Sequence, residues 1–130
     1  MKRKILIIDD EESIRESLSI YFREKGYDVV SVEHPSECNG SENRLCHGQD
    51  ECADILIIDQ WMPKMTGIEY LARRHDWGCR SMGQRKALMS ANLPDSLRAQ
   101  AVELGCKVFD KPVRLDDLEA WIVSDTPLAG

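Results

Sequence analysis

The 130-residue chain fits one domain, able to bury roughly two thirds of the surface its unfolded form exposes, and no separate effector domain is expected. Its 42% apolar and 31% charged residues describe an ordinary globule, without an apolar run long enough to cross a bilayer or to act as a secretory signal. A net charge of −6 disfavours direct nucleic-acid binding, which depends on Lys and Arg neutralising phosphates.

The pentapeptide Ile-Leu-Ile-Ile-Asp occurs twice, at Ile5 to Asp9 and at Ile55 to Asp59. Four branched apolar residues bounded by polar ones suit a strand buried on both faces, the pattern of a parallel sheet held between helices. Each copy ends on a carboxylate where the strand emerges. Ligands of open parallel sheets collect outside the carboxyl ends of the strands, so Asp9, Asp10 and Asp59 are expected to converge on one crevice.

After the first strand, Glu12 to Lys25 carries Ile14, Leu18, Tyr21 and Phe22 at helical spacing, with Gly26 suited to the position past the helix end. Asp28 to Val32 is rich in β-branched residues and reads as the second strand. Residues 34–54 hold Asn39-Gly40, Gly48 and few apolar positions, which predicts a short or irregular second crossover before the third strand, Ile55 to Ile58. Gly67 to His75 places Ile68, Leu71, Ala72 and His75 on one helical face; Trp77 to Gln84 reads as a loop and Lys86 to Ser90 as the fourth strand. Asp95 or Ser96 is expected to cap a helix carrying Leu97, Ala101 and Leu104 that stops at Gly105. Lys107 to Phe109 makes a short fifth strand. Asp116 or Asp117 then starts a last helix docked by Leu118, Trp121 and Ile122, ahead of a frayed tail from Ser124. The alternation predicts an α/β fold, a doubly wound sheet of five parallel strands with helices on both faces.

Four separated signatures sit at predicted strand ends: Asp9-Asp10-Glu11 after the first, Asp59-Gln60-Trp61-Met62-Pro63-Lys64-Met65-Thr66-Gly67 after the third, Ser90-Ala91 after the fourth and Lys111-Pro112 after the fifth. In this order they resemble the receiver domain of two-component response regulators, of the stand-alone type. The likeness runs from about Lys4 to Val123, so residues 1–123 form the receiver domain and 124–130 a tail. The resemblance implies the flavodoxin-like (βα)5 three-layer sandwich, with Asp59 as the phosphoacceptor and Ser90 and Lys111 as contacts of the phosphoryl group. It also implies a divalent cation, Mg²⁺ or Mn²⁺ in its place, held by Asp9, Asp10, Asp59 and the main-chain carbonyl of Trp61, and a cis Lys111-Pro112 bond. A sensor histidine kinase or phosphotransfer protein would be the donor, in the cytoplasm. A downstream protein would dock on the face built by the fourth helix, fifth strand and fifth helix, with a homodimer as a further option. Such a domain is a switch that phosphorylates itself and slowly loses the phosphate, not a turnover enzyme.

The residues support these roles by their own chemistry. Three carboxylates against one lysine leave two negative charges unbalanced, and like charges about 4 Å apart repel by roughly 4 kcal/mol at an effective dielectric near 20. A hard divalent cation corrects the imbalance, and oxygen-only ligands suit Mg²⁺. Phosphoryl transfer depends on positioning and on neutralising the equatorial oxygens, so a carboxylate nucleophile, the cation and Lys111 suffice without a general base. Pro63 is expected to shape the loop after Asp59, and Gly67 to permit a close backbone approach. A haloacid dehalogenase-type phosphatase needs Asp-x-Asp after the first strand, where Asp9-Asp10-Glu11-Glu12 stands. Those four acids would also repel a flavin phosphate.

Two departures from the family pattern bear on signalling. The resemblance places an aromatic residue three positions before the lysine, where this chain has Val108. Phe109 follows it and, by strand alternation, faces the other side of the sheet, so a muted switch is expected. Trp61 and Asn92 stand where the family tunes hydrolysis of the acyl phosphate, and Trp61 has the bulk to shield it. Cys46, His47, Cys52, Cys79 and Cys106, with His75, all precede strands three to five and are placed at the opposite end of the sheet. Five cysteines without a paired CxxC favour scattered reduced thiols over a zinc or redox patch. Arg73, Arg74, Arg80, Arg85 and Lys86 read as a solvated basic face. The competing readings are a degenerate receiver that binds partners without phosphorylation and a metal- or redox-responsive Cys/His variant.

Overall fold

The computed structural model describes residues 3–33, 54–76 and 85–124. Their elements run β1 (Lys4–Ile8), α1 (Glu12–Glu24), β2 (Asp28–Val32), β3 (Ile55–Asp59), α2 (Gly67–Asp76), β4 (Arg85–Ser90), α3 (Asp95–Glu103), β5 (Cys106–Asp110) and α4 (Leu115–Ser124). The expected second crossover, apart from Asp54, lies outside the described residues, as do the loop from Trp77 to Gln84 and the tail beyond Ser124. The fourth and fifth helices of the anticipated plan are therefore α3 and α4.

The strands form one parallel sheet in the order β2-β1-β3-β4-β5, the doubly wound arrangement the alternation predicts. The two pentapeptides are direct neighbours: Ile5 pairs with Ile55, and the register holds through Ile8 and Ile58. Identical strands in identical register bring their terminal aspartates to the same rim of the sheet. Side chains alternate across it. Leu6, Ile8, Leu56, Ile58 and Leu88 pack with Ile68, Tyr70 and Leu71 of α2 and Ala101 of α3. Ile5, Ile7, Ile55, Ile57 and Met89 pack on the other face with Leu18 and Phe22 of α1 and Leu118 and Ile122 of α4. Each buried isoleucine contributes roughly 1.5–3 kcal/mol, and truncating one to Ala would cost about 2–5 kcal/mol through lost burial and the cavity left behind.

The helix ends follow local chemistry. Gly26 adopts φ +99° just beyond α1, and its N–H meets the Arg23 carbonyl at 3.0 Å while the Tyr27 N–H meets that of Phe22 at 3.0 Å. At the start of α2, Thr66 and Glu69 form a capping box: the Glu69 N–H donates to Thr66 Oγ1 at 3.1 Å and the Thr66 N–H to Glu69 Oε1 at 3.0 Å. The cap of α3 is Pro94, not Asp95 or Ser96. Its fixed φ of −61° with ψ 153° turns the chain into the helix one residue early, so Asp95 becomes the first helical residue and its carboxylate faces the positive end of the helix dipole.

Three further features depart from or sharpen the sequence reading. β5 extends by a residue at each end, because its ladder with β4 continues to the Ser90–Asp110 pair. Val108 and Phe109 do fall on opposite faces; Val108 joins the core beneath α2 and α3, whereas Phe109 meets Trp121 edge-on at 5.6 Å. Arg85 is no part of a solvated face. Its guanidinium stacks 4.3 Å from the Trp121 ring centre and donates to the carbonyls of Trp121 and Ile122 at 2.8 and 2.9 Å, closing the last turn of α4. Among the described residues no helix is long and apolar enough to cross a membrane.

Candidate functional site

The acidic crevice sits where β1 and β3 end. Asp9 and Asp59 are buried, Asp10 is half-buried, and one carboxylate oxygen from each lies within 4.8 Å of the others. Asp9 is fixed by its surroundings: its N–H donates to the Val32 carbonyl at 3.2 Å, and its Oδ1 accepts the Glu11 N–H at 2.8 Å. Arg15, on the first turns of α1, donates from Nη1 to the Asp9 carbonyl at 2.9 Å. The residue after β5 supplies the positive charge. Lys111 Nζ lies 2.7 Å from Asp59 Oδ1 and 3.8 Å from Asp9 Oδ2, and the Lys111-Pro112 peptide bond is cis.

One cation does not satisfy this cluster. Asp9 Oδ2 has no hydrogen-bond donor, and Asp59 Oδ1 is met by the Lys111 ammonium at 2.7 Å. The protonation tendencies follow. Burial pushes the Asp9 carboxyl up to about 6, helped by the charges of Asp59 and Asp10 and opposed by the Glu11 N–H and Lys111. Burial likewise raises Asp59, against the pull of Lys111. For Lys111, burial alone would lower the ammonium's proton affinity, but the hydrogen bond and charge of Asp59, with Asp9 and Glu11, outweigh it and the net direction is upward. The site is thus short of positive charge while its lysine stays protonated.

Ser90 ends β4, is buried, and accepts the Lys111 N–H on its carbonyl at 2.9 Å; its hydroxyl makes a long contact of 3.4 Å to the Ala91 carbonyl. Trp61 lies in the loop after β3, 46% exposed as a residue, and its indole N–H donates to the Ala91 carbonyl at 3.1 Å, tying the loops after β3 and β4 together. Asn92 is exposed, with φ 57°. Gly67 meets its expected requirement: a Cβ there would stand 2.7 Å from the Asp59 carbonyl oxygen and 2.8 Å from Leu88 Cδ1.

Two residues at the site escaped the sequence reading. Arg15 looks like any surface arginine on an amphipathic helix, and only the fold shows its reach to Asp9. Gln60 is 1% exposed, and a polar residue next to a buried strand end is a signal that could have marked it. Of the cysteines, Cys106 alone is described. It lies at the sheet end opposite the aspartates, buried, with burial pushing its thiol up to about 11, which makes it unreactive. Cys46, His47, Cys52 and Cys79, with the side chain of His75, lie outside the described residues.

Comparison with known proteins agrees with this geometry. The family model for the response regulator receiver domain matches residues 5–123. The alkaline phosphatase synthesis transcriptional regulatory protein PhoP of Bacillus subtilis is 32% identical over 68% of this chain and 31% of its own length. The transcriptional regulatory protein ResD of the same organism is 30% identical over 78% of this chain and 38% of its own length. The chain therefore spans about a third of these curated relatives. A crystal structure of a response regulator receiver protein from Pseudomonas putida superimposes with a TM-score of 0.81 over 96% of this chain and 98% of that one, at 20% identity, a likeness of fold.

Proposed function

Since the chain belongs to the response regulator receiver domain family, the phosphoacceptor module of two-component systems, we propose that Asp59 is its phosphoacceptor and that Asp9, Asp10, Asp59 and the Trp61 carbonyl hold Mg²⁺. The observation that carries this reading is the Lys111 ammonium 2.7 Å from Asp59 inside a buried group of three carboxylates. The residues fit a hard divalent cation: the donor set is all oxygen, and the buried Asp9 Oδ2 has no hydrogen-bond donor. Mg²⁺, with Mn²⁺ as a substitute, supplies neutralisation of the phosphoryl oxygens when bound.

Asp59 attacks the phosphorus of a phosphohistidine; the P–O bond forms as the P–N bond breaks, and the released imidazole takes up a proton from solvent. Lys111 neutralises charge on the transferred group, and Ser90 moves its hydroxyl toward a phosphoryl oxygen. The weak hold on that hydroxyl in the unphosphorylated chain leaves it free to do so. No general base is needed, because the attacking group is a carboxylate with no proton to lose, and the Lys111 ammonium 2.7 Å away favours that charged form. The donor is a sensor histidine kinase or a phosphotransfer protein in the cytoplasm, and the output partner docks on the face of α3, β5 and α4. With Val108 in place of an aromatic, that face responds weakly. The acyl phosphate is lost slowly by the domain's own hydrolysis.

Incubation with acetyl phosphate and Mg²⁺ followed by intact-mass measurement tests the central assignment. A phosphoryl adduct is expected for the wild type and none for Asp59→Asn; an adduct that survives in Asp59→Asn refutes the assignment. Backbone shifts on adding beryllofluoride test the output face, and changes confined to the crevice would rule it out.

A further inference from the structure

The loop from Trp61 to Thr66 carries the proposed carbonyl ligand, and Trp61, Pro63 and Lys64 in it are exposed. Its base is fixed by Gln60, a polar side chain buried to 1% exposure immediately after Asp59. Gln60 makes three hydrogen bonds. Its N–H donates to the Met89 carbonyl on β4 at 2.9 Å, its carbonyl accepts the Gly67 N–H at 3.0 Å, and its side-chain Oε1 accepts the Ile68 N–H at 2.9 Å. Gly67 and Ile68 open α2, so two otherwise orphaned helix donors are answered by one strand-end residue. The helix start also touches the strand end directly, since a Cβ on Gly67 would collide with the Asp59 carbonyl oxygen and come within 3.2 Å of Gln60 Cα.

From this geometry we infer that Gln60 is a positioning residue: its side chain fastens the first turn of α2 to the end of β3, so that the Trp61 carbonyl stands ready before a cation arrives. The inference rests on the proposed metal-binding role of the crevice. A leucine or methionine would fill the same space but leave the buried Ile68 N–H without an acceptor, and the α2 start would be released from β3 on that side. The loop would then have to be ordered by the metal itself, at the expense of affinity. Gln60 does not touch the reacting atoms; it acts through the backbone of its neighbours on either side.

Amide hydrogen exchange and Mg²⁺ titration separate this role from simple stabilisation. In the metal-free wild type the Gly67 and Ile68 amides should exchange as slowly as those of the central strands, and protection that appears only on adding Mg²⁺ overturns the proposal. In Gln60→Met, Ile68 should exchange fast and the Mg²⁺ dissociation constant, followed by the shift of the Trp61 indole N–H resonance, should rise by at least about tenfold, as for residues that orient metal ligands. In Gln60→Glu, which keeps an acceptor of equal reach, Ile68 should stay protected. If Gln60→Met folds with lower stability but binds Mg²⁺ within about twofold of the wild type, well short of that loss, the clamp is structural only and the inference fails. A wild type that binds no Mg²⁺ at all instead refutes the metal-binding reading from which the inference starts.

Discussion

Lys111 Nζ stands 2.7 Å from Asp59 Oδ1 and is the cation that holds this carboxylate in a buried place. Breaking a fully buried ion pair typically costs about 3–5 kcal/mol. Here the lysine side chain is 21% exposed and Asp59 can take up a proton, so Lys111→Met should lower the stability of the metal-free protein at neutral pH by less, on the order of 2 kcal/mol. The deficit should shrink as the solution is acidified, because burial raises the proton affinity of Asp59 and protonation removes the unpaired charge. Urea unfolding at neutral and acidic pH checks this, and a deficit that grows on acidification contradicts it. The same variant should give little or no adduct with acetyl phosphate.

Asp9 makes the metal-free fold sensitive to pH in an unusual direction. Its carboxyl is raised from 3.8 to about 6 by burial. Between those values the folded chain holds a proton the unfolded chain has released, so stability falls as pH rises through the window and levels off above about 6. The loss is at most about 3 kcal/mol at 1.36 kcal/mol per pH unit. Millimolar Mg²⁺ should reverse the trend, because cation and proton compete for the same oxygens and metal affinity then falls below about pH 6. Unfolding midpoints with chelator and with Mg²⁺ across this range decide; parallel curves would mean that Asp9 does not contact the ion.

Gly67→Ala should be costly although a helix ordinarily prefers alanine. The added methyl would sit 2.7 Å from the Asp59 carbonyl oxygen and 2.8 Å from Leu88 Cδ1, and the first of these is backbone that cannot step aside without moving Asp59. A loss of about 2 kcal/mol or more is expected from overpacking, together with a reduced adduct yield. A variant as stable as the wild type would show that α2 can shift independently of β3.

Trp61 bridges the two loops that border the crevice through its bond to the Ala91 carbonyl. Trp61→Ala should shorten the lifetime of the acyl phosphate several-fold by admitting water, whereas Trp61→Phe, which keeps the ring but not the N–H, should fall between the two. Loss of phosphate followed by intact mass over time gives the rates. Equal lifetimes for all three proteins would exclude shielding.

The sheet and the three site carboxylates are legible because short-range pattern carries them: unbroken apolar runs name buried parallel strands, and a carboxylate ending each run marks the rim, whereas Lys111 stands out only through the resemblance to the family. Thr66-x-x-Glu69 was equally legible as a capping box and passed unread inside the longer motif. The contributions of Gln60, Arg15 and Arg85 were not, since each depends on a partner brought near by the tertiary fold. The Arg85 guanidinium reaches carbonyls 36 and 37 positions away, and no local periodicity can report that. The Pro94 cap was misjudged because side-chain capping preferences favoured the polar neighbours, whereas ring geometry decided the turn.

Arg85 and Ser90 are the two ends of one strand. The first grips the last turn of α4 by its carbonyls and its tryptophan, while the second follows Met89, the residue paired with Asp59. The C-terminal helix therefore leaves the sheet along a fixed line from an anchored point. A label attached near Ser124 would inherit that anchorage, so a distance measured from it to a second label on α3 would report movement of α3 relative to the anchored end of α4. For the output proposed above, that anchorage supplies a built-in reference mark.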